Sequence, residues 1–431
     1  MKKYLSLMMG VLLGLAWYVT ISSWLGNAGK YQDYLEEAKR LEGKGLYIDA
    51  ISVYEEAKAL KPDNLELEEH IADDYLAMGN YSAYKQQLSA IIDTYGPVEA
   101  DVKKAYEFYQ TYSSQDSLID YLVELYAKYP DSALVKEYYN SIKGVYSEMY
   151  LSLDSIGTFI GKSATFTLNG KKGLLNVEGE TAVEAVYDEI LYNGRDADRV
   201  TVKDGEDYYF INGSGYKTAE PEGDYDYIGY YSSDRILAGR DGKFGYLDGS
   251  LKEKIGFEYD AASAFYNGTA AVKKGDKWAL INEKGEALTE YLYEDVALNS
   301  REYCSVNDVV WVKQNGSWLL INGKGETVST ETYEDVKAFE GGGPCAVCRG
   351  GKWGYADAAG SLVIDCTYQD AKSFSGEFAP VKSKGLWGYI DRENYLMVPY
   401  VFGEAGQMTS GGVAPVSHEG TWTLIELKAL N

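Results

Sequence analysis

At 431 residues the chain is longer than one hydrophobic core usually grows, and 45% of it is hydrophobic, so two or more folded units are expected and a disordered chain is excluded. Its 41 Lys and Arg stand against 66 Asp and Glu, a formal charge of −25 that would repel a phosphate backbone and offers no basic footprint for nucleic acid; the acidity reads instead as solvated surface. The two histidines, His70 and His418, lie in different segments, which all but excludes a paired-His catalytic or metal site.

The amino end carries a membrane signal. Lys2 and Lys3 precede "YLSLMMGVLLGLAWYVTISSWLGNAG", where no charge occurs until Lys30, long enough to cross the hydrocarbon layer as a helix. Trp17, Tyr18 and Trp24 suit an interfacial belt and favour a retained anchor over residues 1–29, whereas "GNAG" offers the small residues of a cleaved signal peptide. Either way the bulk of the chain is expected outside the cytoplasm, held by a single pass at the cell membrane or secreted after cleavage. Lys30, Lys39 and Arg40 follow closely, so the basic flanks do not by themselves set the orientation.

From Lys30 to about Tyr150 apolar residues recur three and four apart, the spacing of one helix face. In "YLEEAKRLEGKGLYIDAISVYEEAKALKPDN", Ala38, Leu41, Gly45, Tyr47, Ala50, Tyr54, Ala57 and Pro62 alternate small and large residues and end on a helix-breaking proline. This pattern resembles the tetratricopeptide repeat. Looser copies follow through Ala72, Tyr75, Gly79, Tyr81, Leu88, Ile91 and Pro97, and through Tyr106, Tyr109, Leu118, Leu122, Leu125 and Pro130, with a capping helix expected from Asp131 to about Tyr150. The resemblance implies a concave surface that takes peptide segments of other proteins; the alternative is a spacer.

Beyond about Leu153 the texture changes to short alternating runs. An aromatic slot recurs at Lys172 (degenerate), Tyr208, Phe244, Trp278, Trp318, Trp353, Trp387 and Trp422, at gaps of 36, 36, 34, 40, 35, 34 and 35 residues. Four residues after each slot stands an acid or amide: Asn176, Asn212, Asp248, Asn282, Asn322, Asp357, Asp391 and Glu426; a glycine often stands at seven and a Tyr at fifteen. "TAAVKKGDKWALINEKGEAL" reads as strand, tight turn, strand, turn, with the recurrent Asp or Asn bonding turn backbone. One such unit cannot bury its own face, so neighbours must share a core. The pattern, clearest at Trp353-Gly354 and Trp387-Gly388, resembles the bacterial WG-repeat family over about Ile160 to Leu427. Partial units at both ends favour ring closure into a β-propeller of seven or eight blades, with an open β-solenoid as the alternative. The fold class is thus α+β and multidomain: a membrane segment at 1–29, tetratricopeptide-like helices at 30–150 and a WG-type β-repeat domain at 151–431.

Candidate chemistry is sparse. Cys345 and Cys348 form "PCAVC", Cys304 and Cys366 stand alone, and a buried thiol, a disulfide and a metal site are the three readings, the first favoured because Cys345 occupies a slot held elsewhere by Ala270, Ala379 and Ala414. The acidic runs "RDADR" and "EGDYDY" lack a calcium-loop pattern and read as solvated loops. No phosphate loop, nucleophile elbow or paired catalytic motif occurs, so no catalytic, cofactor-binding or metal residue is assigned and no cofactor is expected. The expected function is a non-enzymatic, membrane-anchored scaffold of the cell envelope with protein partners. A glycan-binding module using the off-beat aromatics Tyr230, Tyr231, Tyr266 and Trp311 is the alternative, and an enzyme the third reading.

Overall fold

The computed structural model of the chain describes residues 28–194 and 199–430. The expected membrane segment lies almost wholly in residues 1–27, outside them; among the described residues no helix is long and apolar enough to cross a membrane. The chain divides into two compact units, Met1–Ile142 and Lys143–Asn431.

The first unit contains seven helices among its described residues: α1 (28–42), α2 (Tyr47–Leu60), α3 (Leu65–Ala77), α4 (Tyr81–Tyr95), α5 (Glu99–Tyr112), α6 (Gln115–Lys128) and α7 (Ala133–Ile142). Local chemistry sets their ends. The side chains of Asn64, Asn80 and Ser114 accept the backbone N–H groups of Glu66, Ala83 and Ser117, capping α3, α4 and α6. Ala38, Ala50, Tyr54 and Ala57 are fully buried where α1 and α2 meet, and Ala72, Tyr84, Leu88, Ile91, Ala105 and Phe108 form the next layer. The cap is shorter than expected: α7 stops at Ile142, and the residues up to Tyr150 turn into strand.

The second unit is an eight-bladed β-propeller of antiparallel sheets. Blade 7 shows the pattern: a two-residue inner strand (Asp370–Ala371), then Phe378–Ser383, Leu386–Asp391 and an outer strand, Leu396–Phe402, each paired with the one before. The eight aromatic slots are the third strands of eight successive blades. Blade 8 is built from both chain ends. Its first three strands are Glu404–Ala405, Val413–His418 and Thr421–Leu427, and its outer strand is Tyr146–Glu148, in register Tyr146↔Leu427 and Glu148↔Ile425. Ring closure therefore uses residues that the change in sequence texture leaves on the helical side, and the open solenoid is replaced by a closed ring. A separate apolar cluster straddles each of the eight blade interfaces, including blade 8 against blade 1 through Val413, Leu424, Ile156 and Phe166.

Candidate functional site

The recurrent tetrad is spent on architecture, and each member has a separate task. Trp278, Trp318 and Trp387 are buried, whereas Tyr208, Phe244, Trp353 and Trp422 are half-buried at the blade edge. The following glycine meets the outer strand. A Cβ at Gly388 would stand 2.5 Å from the Val398 carbonyl oxygen, and one at Gly245 2.7 Å from that of Ile255, at the point where register slips between third and outer strands. Full seven-residue outer strands occur in the blades that hold Gly173, Gly245, Gly354 and Gly388. Where Ala279 or Leu319 fills the slot, the described structure reduces that strand to isolated bridges, and beside Tyr209 it is the three residues Lys217–Ala219. The drift of the glycine thus follows the loss of the fourth strand.

The next aromatic ties one blade to the next. Tyr246, Tyr355 and Tyr389 are fully buried and donate their hydroxyls to the carbonyls of Ser263, Lys372 and Gly406 on the following inner strand. The acid or amide closes the turn before the outer strand: Asn282 accepts from Lys284 and Glu286, and Asp391 from Glu393 and Tyr395. A second periodic acid was not singled out by the sequence pattern. Asp188, Asp226, Asp260 and Glu334 accept backbone N–H groups of the hairpin turn between the second and third strands of the same blade. Those bonds, with Lys partners for the two aspartates, hold Asp188, Asp260 and Glu334 below the ordinary carboxylate range.

What the repeat leaves free is the axis. A cavity of about 420 Å³ is lined from five consecutive blades: Asp295, Val296, Ala297, Leu298 and Trp318 of blade 5, Val336, Lys337, Ala338 and Glu340 of blade 6, Lys372 and Ser373 of blade 7, Gln407 of blade 8 and Thr158 of blade 1. Across the axis runs the segment that gives the repeat its one 40-residue gap. After Asp295–Val296, blade 5 extends before its strand Val309–Gln314, and this insertion is pinned on both sides. Tyr227 donates at 2.8 Å to Glu302, whose backbone carbonyl also accepts the Ala264 N–H, and Tyr303 stacks on Tyr266 at 4.7 Å. On the other side Glu340 accepts the N–H and hydroxyl of Ser300, and its backbone carbonyl accepts from Arg301. Burial raises both carboxyls, Glu302 and Glu340, above the usual range.

Trp311 of the off-beat aromatics is 1% exposed and donates its indole N–H to Cys345 Sγ, and Tyr230 is buried too. Tyr231 bonds Asp234, and Tyr266 is engaged by Tyr303, so the four do not form an exposed platform. All four cysteines are free thiols; burial pushes Cys345 up to about 12 and Cys304 to about 11. "EGDYDY" lines an open polar concavity of about 490 Å³ with Lys203, Glu206 and Tyr208; of "RDADR", residues 195–198 lie outside the described ones.

In the helical unit Gly45 takes a left-handed φ of +73° between α1 and α2, Tyr47 opens α2 half-exposed, and Pro62 lies just beyond its end. A smaller hollow of about 160 Å³ lies between α4, α5 and α6, lined by Ile92, Asp93, Tyr109, Tyr121, Glu124 and Lys128, with Tyr109 and Tyr121 stacked at 4.5 Å.

Fold and site together define an eight-bladed propeller with a partly plugged axis, preceded in the chain by an array of seven described helices. The family model described as "WG containing repeat" matches residues 244–278, 353–387 and 387–422. No curated protein matches the chain. Solved structures resemble it at low identity. PorZ, described as an essential bacterial surface component of the type-IX secretion system of Porphyromonas gingivalis, is 9% identical over 63% of this chain, with a TM-score of 0.38, and the match spans 42% of the PorZ chain. The AfRom2 CNH domain is 8% identical over 66% of this chain and 96% of its own, TM-score 0.35. Dihydro-heme d1 dehydrogenase NirN is 10% identical over 71% and 84%, TM-score 0.37.

Proposed function

We propose that the protein is a non-enzymatic interaction scaffold of the cell envelope, anchored through its amino-terminal segment and binding protein partners through its helical array and propeller surface. The observation that carries this reading is the division of labour in the propeller. The acid or amide of seven blades closes a turn and the tyrosines Tyr246, Tyr355 and Tyr389 tie blade to blade, while the carboxyls Glu302 and Glu340 already accept hydrogen bonds that pin the insertion. Side chains so committed make a rigid frame and leave recognition to loops that differ from blade to blade. A glycan ligand has less support, because Trp311 and Tyr230 are buried.

Crosslinking in native membranes, followed by purification of the protein, tests the scaffold: a discrete set of protein adducts is expected. Adducts absent, with a carbohydrate array giving a saturable signal, would replace the protein-partner reading by the glycan one. Protease added to intact protoplasts tests the anchoring, with the chain beyond Lys30 digested and the amino terminus protected; full protection of the large fragment would reverse the orientation.

A further inference from the structure

One position recurs around the ring at or just beyond the start of each inner strand, three residues after Asp154, Asp188, Asp226, Asp260, Glu294, Glu334, Gln369 and Gly403: Gly157, Leu191, Gly229, Ser263, Ala297, Lys337, Lys372 and Gly406 for blades 1 to 8. Several of them donate the same backbone bond to the second strand, including Gly157, Ala297, Lys337, Lys372 and Gly406. Lysine stands there twice, on adjacent blades, flanked by Ala297 on one side and Gly406 on the other. Both lysines line the axial cavity. Lys337 and Lys372 are thus the two long, cationic side chains that this ring position contributes to the cavity lining.

Their partners differ. Lys337 Nζ lies 2.7 Å from Asp370 Oδ1 and 4.7 Å from the centre of the Trp353 ring, so its charge is matched. Lys372 has no carboxylate within salt-bridge distance among the described residues; it lies 5.6 Å from the centre of the Trp387 ring, and its backbone is held by Tyr355. Burial pulls the Lys372 amine below its usual range, with Lys337 adding to that effect and Glu404, Asp370 and Glu340 opposing it. An ammonium taken from water without a counter-ion is costly unless something completes it.

The rest of the lining defines what could do so. Around Lys372 it is polar, with Ser373, Gln407 and Thr158, and Gln407 is fixed by bonds to the Ser373 carbonyl and the Thr158 hydroxyl. On the blade 5 and 6 side it is apolar, with Val296, Ala297, Leu298, Val336, Ala338 and Trp318. Asp295 and Glu340 also line the cavity and disfavour a multiply charged anion. A phosphate dianion is therefore a poor fit, whereas a single carboxylate beside Lys372 leaves the apolar half for a hydrocarbon tail. A volume of about 420 Å³ lies within the range of small-ligand sites.

We propose that the axial cavity binds a monocarboxylate with an apolar tail, its carboxylate on Lys372 and its tail against Val296, Leu298 and Trp318. The same chemistry is offered by a free aliphatic acid and by the carboxyl end of a peptide with a hydrophobic last residue. This site is separate from the surfaces assigned to protein partners, so either assignment can fail alone.

Titration calorimetry on the full-length protein tests it, with hexanoate against hexanamide, and with a tetrapeptide ending in leucine against its amidated form. Saturable binding of hexanoate, or of the acid peptide alone, supports the site and names its source. Removing the charge-assisted contact in Lys372→Met should weaken that binding by about tenfold to a hundredfold, while Lys203→Met, outside the cavity, should leave it unchanged. Ala297→Leu, which fills the apolar half, should abolish it in a protein whose circular dichroism matches wild type. Equal binding of acid and amide, binding unaffected by Lys372→Met, or no saturable heat from either acid would overturn the proposal.

Discussion

Replacing Gly388 by Ala adds one methyl group where the structure has no room for it. The new Cβ would lie 2.5 Å from the Val398 carbonyl oxygen and 2.9 and 3.0 Å from the carbonyl carbon and oxygen of Pro399. Ordinary contact begins near 3.4 Å, so the outer strand Leu396–Phe402 must withdraw by almost an ångström or the third strand must bend. The backbone angle at Gly388 is not left-handed, which removes conformational strain as a competing cause. Overpacking of this kind costs about 1–3 kcal/mol, and the stiffer unfolded chain returns about 0.4–1, leaving a net loss of about 1–2 kcal/mol. Gly341→Ala is the control, since nothing lies within 4 Å of its Cβ and its φ is also ordinary; it should melt like wild type or slightly higher. Urea melts followed by tryptophan fluorescence report on the propeller, because six of the eight tryptophans lie between residues 278 and 422 and none within 28–142. A Gly388→Ala protein as stable as Gly341→Ala would refute the claim that the glycine exists to let the outer strand approach.

Trp387→Ala empties a nearly fully buried site between blades 7 and 8 and should cost about 3–5 kcal/mol, more than Trp353→Ala, whose ring is half-exposed; the same melts rank the two. Deleting residues 143–150 removes the outer strand of blade 8 and should lower the fluorescence midpoint and speed hydrogen exchange in Thr421–Leu427, whereas a fragment starting at 152 that melts like one starting at 143 would show that closure does not need that strand. Two sets of carboxyls, one in each unit, should respond to pH with opposite signs. In the helical unit burial, with Glu42 and Asp73 nearby, lifts Asp74 from 3.8 to about 7, so its folded form favours the proton and stability falls as pH rises from about 4 through 7, by at most about 4 kcal/mol. Asp188, Asp260 and Glu334 are depressed, so their contribution to the propeller is present above the ordinary carboxylate range and fades as pH falls through it. Ellipticity at 222 nm and tryptophan fluorescence in one chain separate the two, and Asp74→Asn should flatten the first curve alone.

The parts legible in the sequence are those that recur. Eight slots became eight third strands, and the acid or amide four residues later became the turn acceptor in seven of the blades, because a residue that performs the same bond in successive blades must appear on successive beats; in blade 8 that residue, Glu426, stays within the third strand, whose outer partner comes from the other end of the propeller segment. Closure was only half legible. Partial units at the ends pointed to a ring, yet the strand that completes it, Tyr146–Glu148, is three residues with no repeat beat and sits between a helix and the first inner strand. Trp311 misled in the opposite way. It lies off the aromatic beat, which suggested an exposed ring, but as a residue of the second strand it packs into the cluster with Tyr333, Phe339 and Cys345. The axial cavity was invisible for a geometric reason: inner strands as short as two residues carry no periodicity, and the residues that line it come from blades about 35 positions apart.

The one irregular interval shows how a repeat protein can acquire a site without disturbing its frame. Five or six extra residues between Trp278 and Trp318 do not displace either slot, since both aromatics remain buried in their own interfaces. The surplus is absorbed between Val296 and Val309, on the inner edge, where its own short strand Ser305–Val306 pairs with the start of Val309–Gln314 and Tyr303 bridges Ala264. From there Glu302 reaches Tyr227 of blade 3 and Ser300 reaches Glu340 of blade 6, so the insertion spans much of the ring and is fixed at both margins. It occupies the side of the axis bordered by blades 3 and 4, and the open volume that remains is bounded by blades 5 to 8 and blade 1. Lys337 and Lys372 stand on blades that border this remainder, and both keep the aromatic slot of their own blade beneath the ammonium. Chemistry peculiar to single blades is thus concentrated where the period breaks, and the invariant beats around it hold the ring that frames it.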